Sequence, residues 1–560
     1  MSAVPELPVQ PIYPFASKVP TIRLLHDESS QHPFATTIAA AWSCYGARPA
    51  RVENVLGLLD ESLDDGDDLR PGRRNRALRL YRDLFDAGHH TTFQHANFVF
   101  VLDGVSRLAI WSFFHHHPHY NSEQVSQRYR EVSGKVMVTP DLTERQSAIY
   151  KAAVERAIDG YRRLGDLLSP GLAERYGQVF PARRKADGAE AARRVADAVQ
   201  KKAQEVARYV LPLATPAHLY HTINGLTLLR YYVLVNQLDV PSEVRYIVNA
   251  MVGEVLKLDP NFLGAPGYPL DLQVLGASDT LEFGALAELQ GTLAASHDET
   301  FFREYDEALG GLDSKLVGYN PNAEAVLADA VRTVLGASRA AMSDADAMAT
   351  VLDPAKNEYL GHSLFLAMNS KLMQTLNHVP FTFQKRISGA EDAQNQRHRG
   401  TLSSSPVLSA HMRVAPDVIV PDEVRRSDAA LDEYHATVQA LWDAKNQLLD
   451  DGVAPEKVLY LLPNSHNVRF HESGTLLTYY WKWVKRLCYN AQREIFDTAR
   501  QETEQVSAIF PTIGRHVSAP PCVIRSRAGN KPFCPEGERF CGVPVWRDYD
   551  PKTLALRRVL

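Results

Sequence analysis

The sequence predicts an α+β protein made of two diverged tandem copies of one unit, each a small antiparallel sheet with long helices, followed by a C-terminal extension. Three observations predict it. His95-Ala-Asn-Phe98-Val-Phe100 returns as His378-Val-Pro-Phe381-Thr-Phe383, an H-x-x-F-x-F segment with the alternation of a half-buried strand. Leu211-Pro212 returns as Leu462-Pro463, and in both places a glutamate follows the proline by 31 residues, Glu243 and Glu494. Upstream, Cys44-Tyr45 and the residues to Val52 resemble Gly318-Tyr319 and the residues to Val326, so three landmarks occur in one order in each half.

The first copy spans about 20–265 and the second about 295–512, with Asp259-Pro-Asn and the Gly/Pro-rich residues 263–271 starting the linker and 513–560 forming a tail. Within the first copy the charged stretch from Ala189 to Leu211 has helical character, and a shorter equivalent runs from Leu431 to Lys457 in the second. Helices are also expected at Tyr220–Gln237 and Thr475–Arg500. The basic pairs Arg193-Arg194 and Lys201-Lys202, with the run Arg183-Arg184-Lys185, read most simply as a solvated helix face, with an anion-binding patch as the alternative. Glu243 and Glu494 are assigned to packing or capping between helices.

Composition narrows the function. With 45% hydrophobic and 23% charged residues over 560, the chain can bury large cores and is not a disordered protein. Its 61 basic and 66 acidic residues give a net charge of −5, which leaves no general field for nucleic acid or anionic membranes. No apolar run reaches the roughly 18 residues of a membrane span, and the N-terminal residues lack a signal-peptide pattern, so a cytoplasmic protein is expected. Five cysteines are too few for a disulfide framework. Cys522, Cys534 and Cys541, preceded by His516, lie in a Pro/Gly-rich tail, where either a structural zinc or plain buried thiols would account for them.

The chemistry-bearing residues flank the repeated strand. The first copy reads Gly88-His89-His90-Thr91 before it, then the run His115-His116-His117-Pro-His119, then Ser126-Gln-Arg128-Tyr129-Arg130; the second copy carries Gln394 and Arg397-His398-Arg399, nineteen residues after His378. These motifs resemble the flavin-dependent thymidylate synthases (ThyX type), and the resemblance touches most of both copies. It implies two tandem copies of that family's fold. Neither copy keeps the whole set of functional positions, and the losses are complementary.

By the resemblance, Arg397, His398 and Arg399 bind FAD, with His398 beside the ring, and His89, Thr91 and Asn224 contact flavin or folate. Ser126, Arg128, Tyr129, Arg208 and Gln394 bind the nucleotide, and Arg486 activates the pyrimidine. The histidine run stands where the first copy would carry Arg-His-Arg, Val235 where it would carry Arg486, and Leu459 where the second copy would carry Arg208. For the run itself, pocket-lining or structural histidines, flavin or nucleotide contacts, and a metal site remain open, since neighbours on a strand point to opposite faces.

The resemblance implies reductive methylation of dUMP at C5, with FAD as cofactor and NADPH and methylenetetrahydrofolate as co-substrates, at a composite site between the copies. A related flavoenzyme acting on another pyrimidine nucleotide and a non-catalytic nucleotide- or flavin-binding regulator are the rival readings. A homodimer of fused chains is expected, with no nucleic-acid or membrane partner.

Overall fold

The computed structural model describes residues 13–60, 70–132, 137–181, 188–237, 239–290 and 299–560. The strands of the two main sheets are β1 (Thr21–Leu24), β2 (Asn97–Ser106), β3 (Asn121–Gln124), β4 (Pro216–Asn224), β5 (Ser314–Tyr319), β6 (Pro380–Ser388), β7 (Leu402–Ser403) and β8 (Asn467–Thr475). The helices that matter for the site are α1 (Glu144–Val179), α2 (Ala189–Ala207), α3 (Gly225–Leu234), α4 (Ser242–Leu258), α5 (Gly389–Asn395), α6 (Asp428–Asp450), α7 (Leu476–Arg486) and α8 (Arg493–Ile509).

Two four-stranded antiparallel sheets share one topology, β1-β2-β4-β3 in the first copy and β5-β6-β8-β7 in the second. The registers correspond, with Asn97 facing Asn224 and Pro380 facing Thr475. Phe98 and Phe100, and Phe381 and Phe383, are buried, as the strand period of two requires of alternate residues on the core face. Gly104 takes up the extra residue of a bulge in β2 at φ +84°, between Asp103 and Val105.

Three expectations need correction. Cys44 and Tyr45 end a helix, Pro33–Tyr45, whereas Gly318 and Tyr319 end β5. The strand matching β5 in sheet order is β1, so that landmark reports similar residues leading into a helix. Tyr220 to Asn224 belongs to β4, where Leu219, His221 and Ile223 are buried and Tyr220 is exposed. Helix α3 starts only beyond Asn224, whose side-chain oxygen accepts from the Thr227 amide at 2.9 Å as an N-cap. Thr475–Arg500 is two helices, α7 and α8, separated by the turn at 487–492. The run Arg183-Arg184-Lys185 lies outside the described residues. Arg194 pairs with Glu190 one turn away on an exposed face, while Lys202 reaches the buried Glu205 at 2.9 Å.

The two copies meet across a reciprocal contact. The Leu213 amide donates to the Leu462 carbonyl and the Asn464 amide to the Leu211 carbonyl, each at 2.9 Å; Ala214 donates to Tyr460 and Ser465 to Tyr209, also at 2.9 Å. Each bond is the image of another under exchange of copies, the signature of a pseudo-twofold axis at the two Leu-Pro segments. Glu243 on α4 accepts from the Ser106 amide (2.9 Å) and hydroxyl (2.6 Å) at the end of β2, and from the Tyr460 hydroxyl of the other copy at 2.8 Å. Glu494 on α8 repeats this with the Ser388 amide (2.7 Å) and hydroxyl (2.6 Å) and with the Tyr209 hydroxyl of the first copy. The glutamates assigned to packing therefore tie each sheet to the opposite copy.

Helices α1 and α6 supply a shared core, including Tyr150, Ala157, Leu164, Tyr434, Leu441 and Trp442. α1 starts at Thr143, which forms a capping box with Gln146. The tail adds Val517, Val523, Ile524, Val545 and Leu554 to the second copy's core, and Arg558 donates to the Ala491 carbonyl at 2.6 Å. No helix among the described residues is long and apolar enough to cross a membrane.

Gly160 sits where α1 touches α6, and a Cβ there would lie 2.2 Å from Thr437 Oγ1 and 2.7 Å from its methyl group. Gly160→Ala is expected to destabilise the chain by about 1–3 kcal/mol through overpacking. Thr437→Ala in the same chain should recover part of that loss in urea denaturation; equal midpoints for Gly160→Ala and wild type would contradict the close approach.

Candidate functional site

A cleft opens between the copies beside the pseudo-axis. The first copy contributes Arg107 from the end of β2, His115, the loop after β3 with Ser126 and Arg128, and Arg208 from the end of α2; the second contributes Gln394, Arg397 and Asn464. Ser126, Arg128 and Arg208 of the first copy and Gln394 and Arg397 of the second, all singled out in the sequence, thus line one cleft. Contacts across the cleft join them. Arg208 Nη2 donates to Gln492 Oε1 at 2.7 Å, Arg128 Nη2 to the Asn490 carbonyl at 2.7 Å, and Asn464 Nδ2 to Gln127 Oε1 at 3.1 Å. Tyr129 lies on the other side of Arg128, exposed, with the Arg128 and Arg539 guanidiniums 5.5 and 5.3 Å from its ring centre.

The charge balance here is unusual. Arg128 pairs with Glu205 and Arg397 with Glu123 at 2.6 Å. Three other guanidiniums bond only neutral partners among the described residues. Arg107 donates to Gln124 Oε1 at 2.7 Å and to the Val125 carbonyl, Arg208 to Gln492 and the Glu205 carbonyl, and Arg486 to His398 Nε2 and the Gln394 carbonyl, both at 2.8 Å. Burial, reinforced by Arg208, lowers Arg107 to about 9; burial, then Arg128 and Arg397, lowers Arg486 to about 10; burial lowers Arg208 as well. All three remain protonated at neutral pH; Arg107 and Arg208 line the cleft, while Arg486 does not line it and sits behind Gln394, whose carbonyl it holds. Arg107 Nε, His115 Nε2, Gln127 Nε2 and Gln394 Oε1 are buried here without a partner among the described residues. A polar, anionic ligand would satisfy both deficits.

The Arg397-His398-Arg399 loop is clamped at both ends by one carboxylate. Glu472 Oε1 accepts from Asn395 Nδ2 and from Thr401 Oγ1, each at 2.9 Å, while its other oxygen meets Lys385 at 2.8 Å and Lys482 at 2.5 Å. Lys385 also reaches Glu502 at 2.7 Å, and all four charged groups are buried. The two lysines hold the Glu472 carboxyl well below the ordinary range despite its burial. In the first copy His221 stands at the position of Glu472, and Tyr231 at that of Lys482, with His117 bonding Tyr231 at 2.7 Å. Sequence reading missed Lys385, Glu472 and Lys482. The signal available was three charged residues at core positions of β6, β8 and α7, facing neutral counterparts in the other half.

His398 does not face outward with its neighbours. It turns onto Arg486, and a guanidinium can only donate, so His398 Nε2 accepts and the imidazole is neutral. Burial and the adjacent Arg486 hold its pKa well below the usual value. Arg397 and Arg399 are exposed and line an outer cleft with His115 and Tyr120. Here His115 stacks on Tyr120 with ring centres 4.6 Å apart and planes 2° from parallel, and the Arg399 guanidinium lies 5.4 Å from the centre of the Tyr120 ring. Of the histidine run, His115 thus lines the pocket, whereas His116 and His117 bond Phe113 and Tyr231 internally.

Other predicted residues lie elsewhere. His89 and Thr91 are exposed at the start of the helical turn His90–His95 that precedes β2, and Asn224 caps α3, at the sheet end remote from Ser106 and Pro216. Ten residues of β2 put that end roughly 30 Å from Ser106, the end that leads into the cleft through Arg107. In the tail, Cys522, Cys534 and Cys541 line one small cleft, but their fourth companion is Cys488 and not His516. Among the described residues no three His, Cys, Asp or Glu side chains are arranged to hold a metal ion, so the predicted zinc set does not form.

The fold and the cleft define a fused-pair α+β protein with an anion-receiving site walled by pseudo-equivalent halves. The chain belongs to the thymidylate synthase complementing protein family (Thy1), whose model matches residues 24–261 and 315–512. A flavin-dependent thymidylate synthase from Clostridium tetani is 26% identical over 240 residues, 43% of this chain and 84% of the relative. Another from Geobacter sulfurreducens is 30% identical over 171 residues, 30% of this chain and 70% of the relative. Among solved structures, a UMP/dUMP methylase from Streptomyces cacaoi bound with 5-Br dUMP matches at a TM-score of 0.28 and 20% identity, covering 43% of this chain and 92% of that one.

Glu472→Gln leaves two buried lysines short of charge and weakens the clamp on the Arg397–Arg399 loop. A loss of about 3–5 kcal/mol in denaturant unfolding is expected. A variant as stable as wild type would show that the network does not hold this loop.

Proposed function

We propose that the chain is a flavin-dependent enzyme of the thymidylate synthase type, methylating the C5 position of dUMP at a single composite site between its copies. FAD is the cofactor, and NADPH and methylenetetrahydrofolate are the co-substrates. The observation that carries this reading is the set of three partly or fully buried guanidiniums, Arg107, Arg208 and Arg486, without carboxylate partners among the described residues. The first two belong to the first copy and the third to the second, so an anionic substrate has reason to seat only where the copies meet.

In this reading Arg128 and Arg208 take the nucleotide phosphate, with Ser126 and Gln394 hydrogen-bonding beside them, since planar guanidiniums match phosphate oxygens in pairs. Arg486 anchors the Gln394 carbonyl and adds positive potential where the uracil lies, favouring loss of its N3 proton and making C5 more nucleophilic. The flat surface of His115, Tyr120 and Arg399, beside Arg397, suits an isoalloxazine ring and its phosphates. Bound FAD would supply the reducing equivalents. His115 is held neutral by burial and offers its unpartnered Nε2 without adding charge. His398 serves by orienting Arg486. His89, Thr91 and Asn224 would reach such a site only from a second fused chain, which favours a homodimer.

Reconstitution with FAD should leave about one flavin per chain after desalting, and 5-deuterated dUMP should release its label when FAD, NADPH and folate are supplied. Arg486→Ala is expected to lower kcat about 10²–10³-fold, and Arg486→Lys should restore part of it. Arg128→Ala should act chiefly on KM for dUMP. Retained flavin with no label release would sink the catalytic reading and favour a binding protein, and two flavins per chain would sink the single composite site.

A further inference from the structure

His466, just past the Leu462-Pro463 segment of the second copy, is buried and lines the cleft between the copies. Its Nδ1 lies 2.8 Å from the Pro463 carbonyl, and a carbonyl oxygen only accepts, so Nδ1 carries the proton. Burial lowers the imidazole to about 4, so at neutral pH the ring is uncharged and Nε2 is a bare acceptor. That nitrogen is buried without a partner among the described residues. Two donors of the same lining are committed elsewhere: Trp111 Nε1 to Asp392 Oδ2 at 2.8 Å, and Asn464 Nδ2 to Gln127 and to the Arg208 carbonyl. A buried acceptor left unpaired costs free energy that a donor on a ligand would recover.

The surroundings fix the ring in place. A Cβ on Gly389 would lie 2.4 Å from His466 Cε1 and 2.9 Å from Nδ1, so the imidazole keeps its position only because residue 389 has no side chain. Trp111 of the first copy meets the imidazole edge to face, with ring centres 6.2 Å apart. The Gly389 amide donates to the His466 carbonyl at 2.9 Å, and in the first copy the Arg107 amide donates to the Thr215 carbonyl at 3.0 Å. Gly389 and His466 therefore stand where the first copy has Arg107 and Thr215. One copy thus lines the cleft with a cationic donor, Arg107, and the other with a neutral acceptor, His466.

The inference rests on the nucleotide reading of the cleft. A uracil nucleotide offers two kinds of donor, the N3–H of the base and the hydroxyls of the sugar. In that reading the base meets the flavin at the outer cleft of Arg397 and Arg399, past the C-terminal end of α5. His466 packs on Gly389 at the other end, roughly 9 Å back along the helix. The ionised phosphate only accepts and seats on guanidiniums, so the group left to face a neutral acceptor is the sugar. We propose that His466 Nε2 accepts a hydrogen bond from a sugar hydroxyl of the bound nucleotide, making His466 a residue that selects for the sugar.

The test is calorimetric binding of dUMP, UMP and 2′,3′-dideoxyuridine 5′-monophosphate to the full chain in the presence of FAD. Wild type should bind at least one hydroxyl-bearing nucleotide about 3–10-fold more tightly than the dideoxy compound. His466→Phe, which keeps a ring without an acceptor, and Gly389→Ala, whose methyl displaces the ring, should each erase that difference by weakening the hydroxyl-bearing nucleotide. His466→Gln, which keeps an acceptor, should restore part of it. Weakening of dUMP and UMP alike identifies the 3′-hydroxyl as the donor, and weakening of UMP alone the 2′-hydroxyl; either supports the proposal. A wild type that binds all three equally overturns it without recourse to a variant. So does a His466→Phe chain that keeps the wild-type discrimination, or one that loses affinity for the dideoxy compound to the same extent, which is a packing role alone. A wild type that binds none of the three overturns the nucleotide reading of the cleft and this inference with it, whereas the other adverse outcomes leave that reading standing.

Discussion

The structure depends on a buried carboxylate reaching across a pseudo-twofold axis, made twice. Glu243 gathers the end of β2 and the Tyr460 hydroxyl of the other copy, and Glu494 gathers the end of β6 and the Tyr209 hydroxyl. Burial raises both carboxyls, and their hydrogen bonds repay part of that cost. Each glutamate is satisfied only when the opposite copy is docked. Folding of either half and pairing of the halves are therefore coupled, and the Leu-Pro segments between them are fixed in backbone register by the reciprocal amide bonds.

Symmetry at the axis gives way to asymmetry at the cleft. The same edge that carries the reciprocal bonds leads outward to positions where the copies have diverged: Arg208 against Leu459, Arg486 against Val235, and His115 to His117 against Arg397 to Arg399. The supporting layers diverged with them. The second copy holds its arginine loop by a buried network of Lys385, Lys482, Glu472 and Glu502, while the first holds its histidine run through His221 and Tyr231. A buried ionic network of this kind adds little net stability but places the loop in one geometry, because any displaced partner would leave a charge unpaired in the core.

The tail completes this asymmetry. It joins the second copy's core, its Leu560 packs against the core shared by both copies, and through Asn490, Arg539 and Tyr129 it reaches the loop of the first copy that carries Arg128. The tail is thereby made part of the wall behind the site.

The duplication and the strands of the two H-x-x-F-x-F segments were legible in the sequence, and Arg128, Arg208, Gln394 and Arg397, which it singled out from both copies, line one cleft. These are properties of spacing and residue type, which survive when the chain is read in one dimension. It misread Tyr220 to Asn224 as helix because a short apolar run ahead of a true helix carries both periods, and it misread Cys44-Tyr45 because equal residues can lead into a helix from a helix or from a strand. Three-dimensional packing settled that His398 turns onto Arg486, that Glu472 clamps the arginine loop, and that Cys488 and not His516 joins the tail thiols. Those partners lie tens or hundreds of residues apart, and which of many buried polar groups pair is set by packing of the two copies, not by local spacing.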